Sequence, residues 1–96
     1  MKQYYIYILA SKRNGALYIG VTNDLISRVS KHKNNSLNGF TKNRGIHVLV
    51  YYEQFEDIHK TINREKQLKK WKRQWKIKLI EKTNPQWRDL YPDLIL

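Results

Sequence analysis

Tyr4-Tyr5-Ile6-Tyr7-Ile8-Leu9-Ala10, then Ser11-Lys12-Arg13-Asn14-Gly15, then Ala16-Leu17-Tyr18-Ile19-Gly20-Val21, is the stretch that decides the architecture. Aromatic and β-branched residues fill both outer runs, and such side chains suit a pleated, half-buried surface. The five residues between them are turn formers, so the stretch predicts a β-hairpin. Side chains alternate along a strand, which puts Tyr5 and Tyr7 on one face and Tyr4 with Ile6 and Ile8 on the other. Tyr18 alternates with Leu17 and Ile19. Most strand tyrosines are packing residues. Gly20, at the end of the second strand, reads either as a turn glycine or as a point where a backbone or a phosphate comes close.

Downstream, Thr22, Asn23 and Asp24 are all helix N-cap types, and Leu25, Ile26 and Val29 follow at helical spacing until Asn34-Asn35-Ser36. Residues 36–45 read as an exposed loop, and Ile46 to Tyr52 as a third strand. From Asp57 to about Thr83 the chain is helix-forming, with Asn84-Pro85 as the stop. At 100° per residue from Ile58, the residues Leu68, Trp71, Trp75 and Leu79 fall between about 220° and 300°, while Ile58 and Ile62 fall near 0° and 40°. The apolar stripe drifts, which predicts two helices with a bend near Lys69 to Lys72. Trp87-Arg88-Asp89-Leu90-Tyr91-Pro92 carries enough apolar area to dock on the core. Strand, strand, helix, strand, helix is an α+β pattern with a small, mostly antiparallel sheet.

The 96 residues allow one core, so residues 1–96 are expected to form a single domain. The chain has no cysteine, which excludes a disulfide framework, a thiolate metal site and a cysteine nucleophile, and fits a reducing cytoplasm. The apolar run from Tyr4 to Ala10 is too short for a signal-peptide core or a membrane span. Nineteen Lys and Arg against eight Asp and Glu give a formal charge of +11. Such a charge calls for an anionic partner. Three Trp and seven Tyr, able to stack on bases, favour nucleic acid over a membrane surface, the plain alternative being a solvated basic surface.

Two features break local rules. On the helical wheel Glu65 falls between the two apolar patches, near 340°, and is expected to be partly buried. A desolvated carboxylate requires a cation. One reading is a simple pair with Lys69, four residues on; the other is a ligand for Mg²⁺, which is commonly held by one carboxylate and its own waters. Arg28 and His32 are also four apart, on one helix face beside Leu25. They are either boundary residues or partners facing a common anion, the Arg forking onto phosphate oxygens and the His moving a proton.

With these residues in view the chain resembles the GIY-YIG nuclease superfamily, and in particular its short stand-alone bacterial branch. Tyr5-Ile6-Tyr7 takes the place of GIY, and Tyr18-Ile19-Gly20 is intact. Arg28 and His32 follow, with Glu65 in the downstream helix and Asn84 at its end. Gly39-Phe40-Thr41, Leu49-Val50-Tyr51-Tyr52-Glu53, Arg64-Glu65-Lys66-Gln67-Leu68-Lys69 and Asn84-Pro85-Gln86-Trp87 are similar to the stand-alone branch. The resemblance implies a three-stranded antiparallel sheet flanked by helices and a phosphodiester-cleaving site with one divalent ion. Glu65 would ligate Mg²⁺ or Mn²⁺, Tyr7 would be the general base and Tyr18 would line the site. Arg28 would bind the scissile phosphate, His32 would assist proton transfer and Asn84 would be a supporting polar residue. Tyr5 stands where GIY has its glycine, as in the stand-alone branch. Val21 and Thr22 stand where excision-repair members offer a lysine, and His32 is similar to the homing-endonuclease members.

A free phenol has a pKa near ~10 and lies roughly 4 kcal/mol from ionised at neutral pH, so Tyr7 as a base needs a nearby cation to lower it. The basic helix from Lys60 to Lys82 is expected to track backbone phosphates without reading bases, with Lys66, Lys69, Lys70, Lys72 and Arg73 as contacts. DNA is favoured over RNA as the partner. The opposing expectation is a non-catalytic nucleic-acid module in which the tyrosines and Trp71 or Trp75 only pack or stack. An amphipathic membrane-surface helix is disfavoured, because the tryptophans look needed for the core.

Overall fold

The computed structural model describes residues 2–34 and 44–96. Its elements run β1 (Tyr4–Ala10), β2 (Leu17–Thr22), α1 (Leu25–Lys33), β3 (Val48–Phe55), α2 (Ile58–Lys70), α3 (Arg73–Thr83) and α4 (Tyr91–Leu94). The three strands form one antiparallel sheet in the order β2-β1-β3. This is the α+β architecture that the sequence pattern and the resemblance both imply. The Gly39-Phe40-Thr41 stretch, and nearly all of the expected loop, lie outside the described residues.

The hairpin forms where the turn chemistry allows it. Asn14 takes a left-handed conformation at φ 58°, Ser11 N–H donates to Ala16 O at 3.0 Å and Gly15 N–H donates to Lys12 O at 2.9 Å. The third strand begins two residues later than expected and runs three further, because its ladder with β1 continues to the Tyr4–Phe55 pair. Asp57 then caps α2, accepting from His59 N–H at 2.7 Å. Asp24 is the residue that caps α1, accepting from Ser27 N–H at 3.1 Å. The expected bend falls at Trp71 and Lys72, both extended at ψ 148° and 149°, and it divides the basic segment into α2 and α3.

The central strand β1 is buried on both faces. Ile6, Ile8 and Ala10 point toward α2 and α3, joining Ile19, Val50, Leu68, Ile80 and Trp87. Tyr7 and Leu9 point the other way, onto Leu25 and Val29 of α1, with Ile46, Leu49 and the tail. Burying a large apolar side chain is worth roughly 1.5–3 kcal/mol, so the two layers hold the sheet rigidly between them. Trp75 and Ile62, expected in the apolar stripes, are 49% and 36% exposed. The break at Trp71–Lys72 ends the phase that a continuous helix would have kept. Trp87 is buried, as the docking of the tail requires, and its indole N–H donates to Glu81 at 2.7 Å. Among the described residues no helix is long and apolar enough to cross a membrane.

Candidate active site

The register of the hairpin sets Tyr7 opposite Gly20 and Leu9 opposite Tyr18. On this face a Cβ at position 20 would meet the Tyr7 hydroxyl at 2.4 Å and its ring carbon Cζ at 2.5 Å. The glycine therefore makes room for the phenol: what approaches its backbone is the Tyr7 ring, and no turn conformation is involved. The phenol lies across β2 toward α1, where its hydroxyl and His32 Nε2 share a hydrogen bond of 3.2 Å. The Tyr7, Tyr18 and His32 rings form a triangle with centroid separations of 6.2, 5.8 and 5.5 Å. Arg28, one turn before His32 on α1, completes the group.

Electrostatics in this group run against free ionisation. Burial pushes the Tyr7 phenol well above its usual pKa, and Tyr18 adds to the rise; the Arg28 guanidinium beside it pulls the other way and does not win. Basic neighbours thus fail to lower the phenol to the range a lone base needs. Burial, with Arg28 helping, holds His32 below 6.5, so its imidazole is neutral at physiological pH. A neutral imidazole next to a neutral phenol can accept its hydrogen bond.

Glu65 occupies the other side of edge strand β2, on α2. Its side chain is 21% exposed, the partial burial its wheel position predicts, and its carboxylate pairs with Lys69 Nζ at 3.1 Å. Lys69 in turn lines a concavity of about 310 Å³ with Leu17, Tyr18, Ile19 and Lys76. Glu65 thus sits next to the concavity that Tyr18 helps to line, approached from the opposite face of the sheet. Tyr7, Tyr18, Arg28 and His32 come together directly, whereas Glu65 is linked to Tyr18 by way of Lys69.

Asn84 does not join them. It is buried at the end of α3, where its amide nitrogen donates to Val50 O at 3.1 Å and Arg88 O at 2.8 Å, and its oxygen accepts from Arg88 N–H at 2.9 Å. These contacts latch the tail to β3, a structural role beside the supporting site role that the resemblance implies. Among the expected phosphate contacts, Lys66, Lys69, Lys70, Lys72 and Arg73 are all exposed. Arg73 is nonetheless partly committed, since its Nη2 donates to the carbonyls of Asn14 and Gly15 at 2.7 and 2.6 Å and braces the hairpin turn. Nothing local in the sequence marks Lys76; its place in the concavity depends on the direction α3 takes after the break.

A second carboxylate network stands beside Glu65. Glu53 of β3 accepts from Arg64 Nε at 3.0 Å and Nη2 at 2.9 Å, and from the Tyr51 hydroxyl. Burial alone would raise its pKa, but the Arg64 and Tyr51 hydrogen bonds hold it below the usual 4.5. Arg64 also reaches Gln67 and lies over the Trp71 ring at 5.2 Å. Two of the stretches similar to the stand-alone branch are therefore contact partners that fix α2 against the sheet.

Residues 3–78 match the GIY-YIG catalytic domain family. The chain belongs to that family. It is 40% identical over 80 residues to a UPF0213 protein of Staphylococcus saprophyticus, covering 83% of this chain and 96% of that one. A UPF0213 protein of Clostridium perfringens is 41% identical over 76 residues, 79% of this chain and 81% of its own. The solution NMR structure of a UPF0213 protein from Bacillus halodurans matches with a TM-score of 0.57 and 26% identity, over 91% of this chain and 92% of that one.

GIY-YIG nucleases generally depend on a divalent metal. Among the described residues no three His, Cys, Asp or Glu side chains gather as a cage. Glu65, a partly exposed carboxylate paired with an exposed lysine, fits a hard ion that keeps most of its waters.

Proposed function

We propose that the chain is a divalent-metal-dependent endonuclease that hydrolyses phosphodiester bonds in nucleic acid, DNA in preference to RNA, with low sequence specificity. The observation that carries this reading is the buried Tyr7–His32 hydrogen bond. In the Nδ1-protonated tautomer of His32 the phenol O–H donates to Nε2. A water positioned at the phenol oxygen then loses its proton to Tyr7 as Tyr7 passes its own to His32. No free phenolate forms, so the raised pKa of Tyr7 does not block the step. Arg28 places its guanidinium against the phosphoryl oxygens as their charge grows. Tyr18 lines the side facing the concavity. Glu65 would hold Mg²⁺ or Mn²⁺, which when bound supplies Lewis-acid relief of charge on the phosphate and its departing oxygen. The exposed lysines of α2 and α3 hold neighbouring phosphates without reading bases, so binding should weaken steeply with salt.

The complete burial of Tyr7 favours a second reading, a nucleic-acid-binding module in which the phenol only packs. Supercoiled plasmid incubated with Mg²⁺, Mn²⁺ or chelator separates the two. The nuclease reading expects metal-dependent nicking, and Tyr7→Phe to lower it by about 10²- to 10⁴-fold with plasmid binding nearly unchanged. Nicking by Tyr7→Phe at the wild-type rate removes Tyr7 from the chemistry; no nicking by the wild type in any metal leaves the binding module.

A further inference from the structure

Trp75 is an exposed aromatic side chain that neither the core nor the proposed chemistry uses. Half of its surface is open, at 49%. Its ring packs edge-on against Trp71, with centroids 6.0 Å apart and planes at 83°. Trp71 is itself covered by the Arg64 guanidinium, so the indole rests on a fixed support. Isolated exposed apolar residues need no special account, but the surroundings of this one are unusual. Between Lys66 and Lys78 every charged residue is a cation. Lys72 Nζ stands 6.0 Å from the Trp75 ring centre, at the outer limit of a cation–π contact, and is easily displaced. The next residue along the helix, Lys76, lines the concavity that also contains Tyr18.

We propose that Trp75 is a stacking platform for an unpaired nucleobase, with Lys72 and Lys76 taking the phosphates on either side of that nucleotide. The inference deepens the nucleic-acid reading above and rests on it. A base has a flat π-face that an indole matches without regard to sequence, and a strand supplies the anionic charge this surface lacks. In an intact duplex the faces are occupied by neighbouring bases, so the platform selects strands with unstacked positions: single strands, overhangs or junctions. Lys72 leaves the ring face as the base arrives and its ammonium moves to the adjacent phosphate.

The test is fluorescence anisotropy of the full chain, in chelator and at one fixed salt concentration, with labelled oligothymidylate, oligouridylate and a blunt duplex. Trp75→Ala should weaken single-strand binding roughly tenfold and leave duplex binding within about twofold, while Trp75→Phe retains most of the affinity. Trp75→Leu keeps apolar bulk without a π-face and should behave like Trp75→Ala. The larger loss, on the deoxy or the ribo strand, identifies which nucleic acid the platform serves. Wild-type affinity in Trp75→Ala or Trp75→Leu, or an equal loss on duplex and single strands, overturns the proposal. Absence of plasmid nicking with this binding pattern intact would defeat the nuclease reading alone.

Discussion

Glu53 and Glu65 lie on neighbouring elements and are shielded alike, at 19% and 21% side-chain exposure, yet the fold treats them differently. Glu53 is locked from two directions, by a forked Arg64 and by the Tyr51 hydroxyl, and its contacts join β3 to α2. Among the described residues Glu65 is paired with one lysine from its own helix, and that lysine is more than half exposed. A carboxylate held across elements is part of the structure; one held by a loose neighbour four residues away can exchange that neighbour for another cation. Equal burial therefore separates into a structural and an available carboxylate once the partners are counted.

The sharpest way to break this contrast is to neutralise each acid in turn. Glu65→Gln should cut metal-dependent nicking at least ~100-fold while moving the melting temperature by no more than about 2 °C, measured on plasmid and by thermal denaturation. Glu53→Gln should reverse the pattern: a loss of about 2 kcal/mol, or roughly 10 °C in melting temperature, with nicking per folded molecule largely kept below the transition. A stable Glu53→Gln protein, or a Glu65→Gln protein that melts early, would exchange the two roles.

Acid titration resolves the same difference more finely. The folded pKa of Glu53 lies below 4.5, so its pair stabilises the fold above that value and the benefit is lost as pH falls through the folded pKa. The stability gap between wild type and Glu53→Gln should therefore close as pH drops below about 4.5; a gap that stays constant would put the stabilisation elsewhere. The smallest effect concerns Lys69. An exposed pair of this spacing is worth ~0.3–0.5 kcal/mol, so Lys69→Met should tighten Mn²⁺ binding by only about twofold by titration calorimetry. Weaker binding would make Lys69 an aid to the site instead of a competitor.

The hairpin was legible because its signal is local: alternation and turn residues specify β1 to within its observed bounds. The partial burial of Glu65 and the helix break were legible from the wheel, since both depend on periodicity along one segment. What the sequence hid were distances across elements. The Arg64–Glu53 fork joins residues 11 apart in sequence, and nothing local marks them as partners. Trp75 falls in the apolar stripe of a continuous helix, but two extended residues at Trp71 and Lys72 rotate α3 out of the phase of α2. Asn84 was placed among the site residues by resemblance, and its three main-chain contacts show that such a position can serve the frame around a site. The role of Gly20 needed the register, because the phenol it accommodates comes from the neighbouring strand.

The irregularity in β3 has a consequence for how molecules of this protein meet one another. The ladder passes from Ile8–Tyr51 to Leu9–Leu49, so Val50 has no partner on β1. Its carbonyl is taken by Asn84, while Leu49 N–H donates to Asp89 and Leu49 O accepts from Leu90 N–H. A border strand with free amides invites a foreign strand to add on, the first step toward aggregation. Here that border is already stitched shut by the chain's own tail, so at this stretch a newcomer would have to evict Asn84 and Asp89 before it could begin to pair.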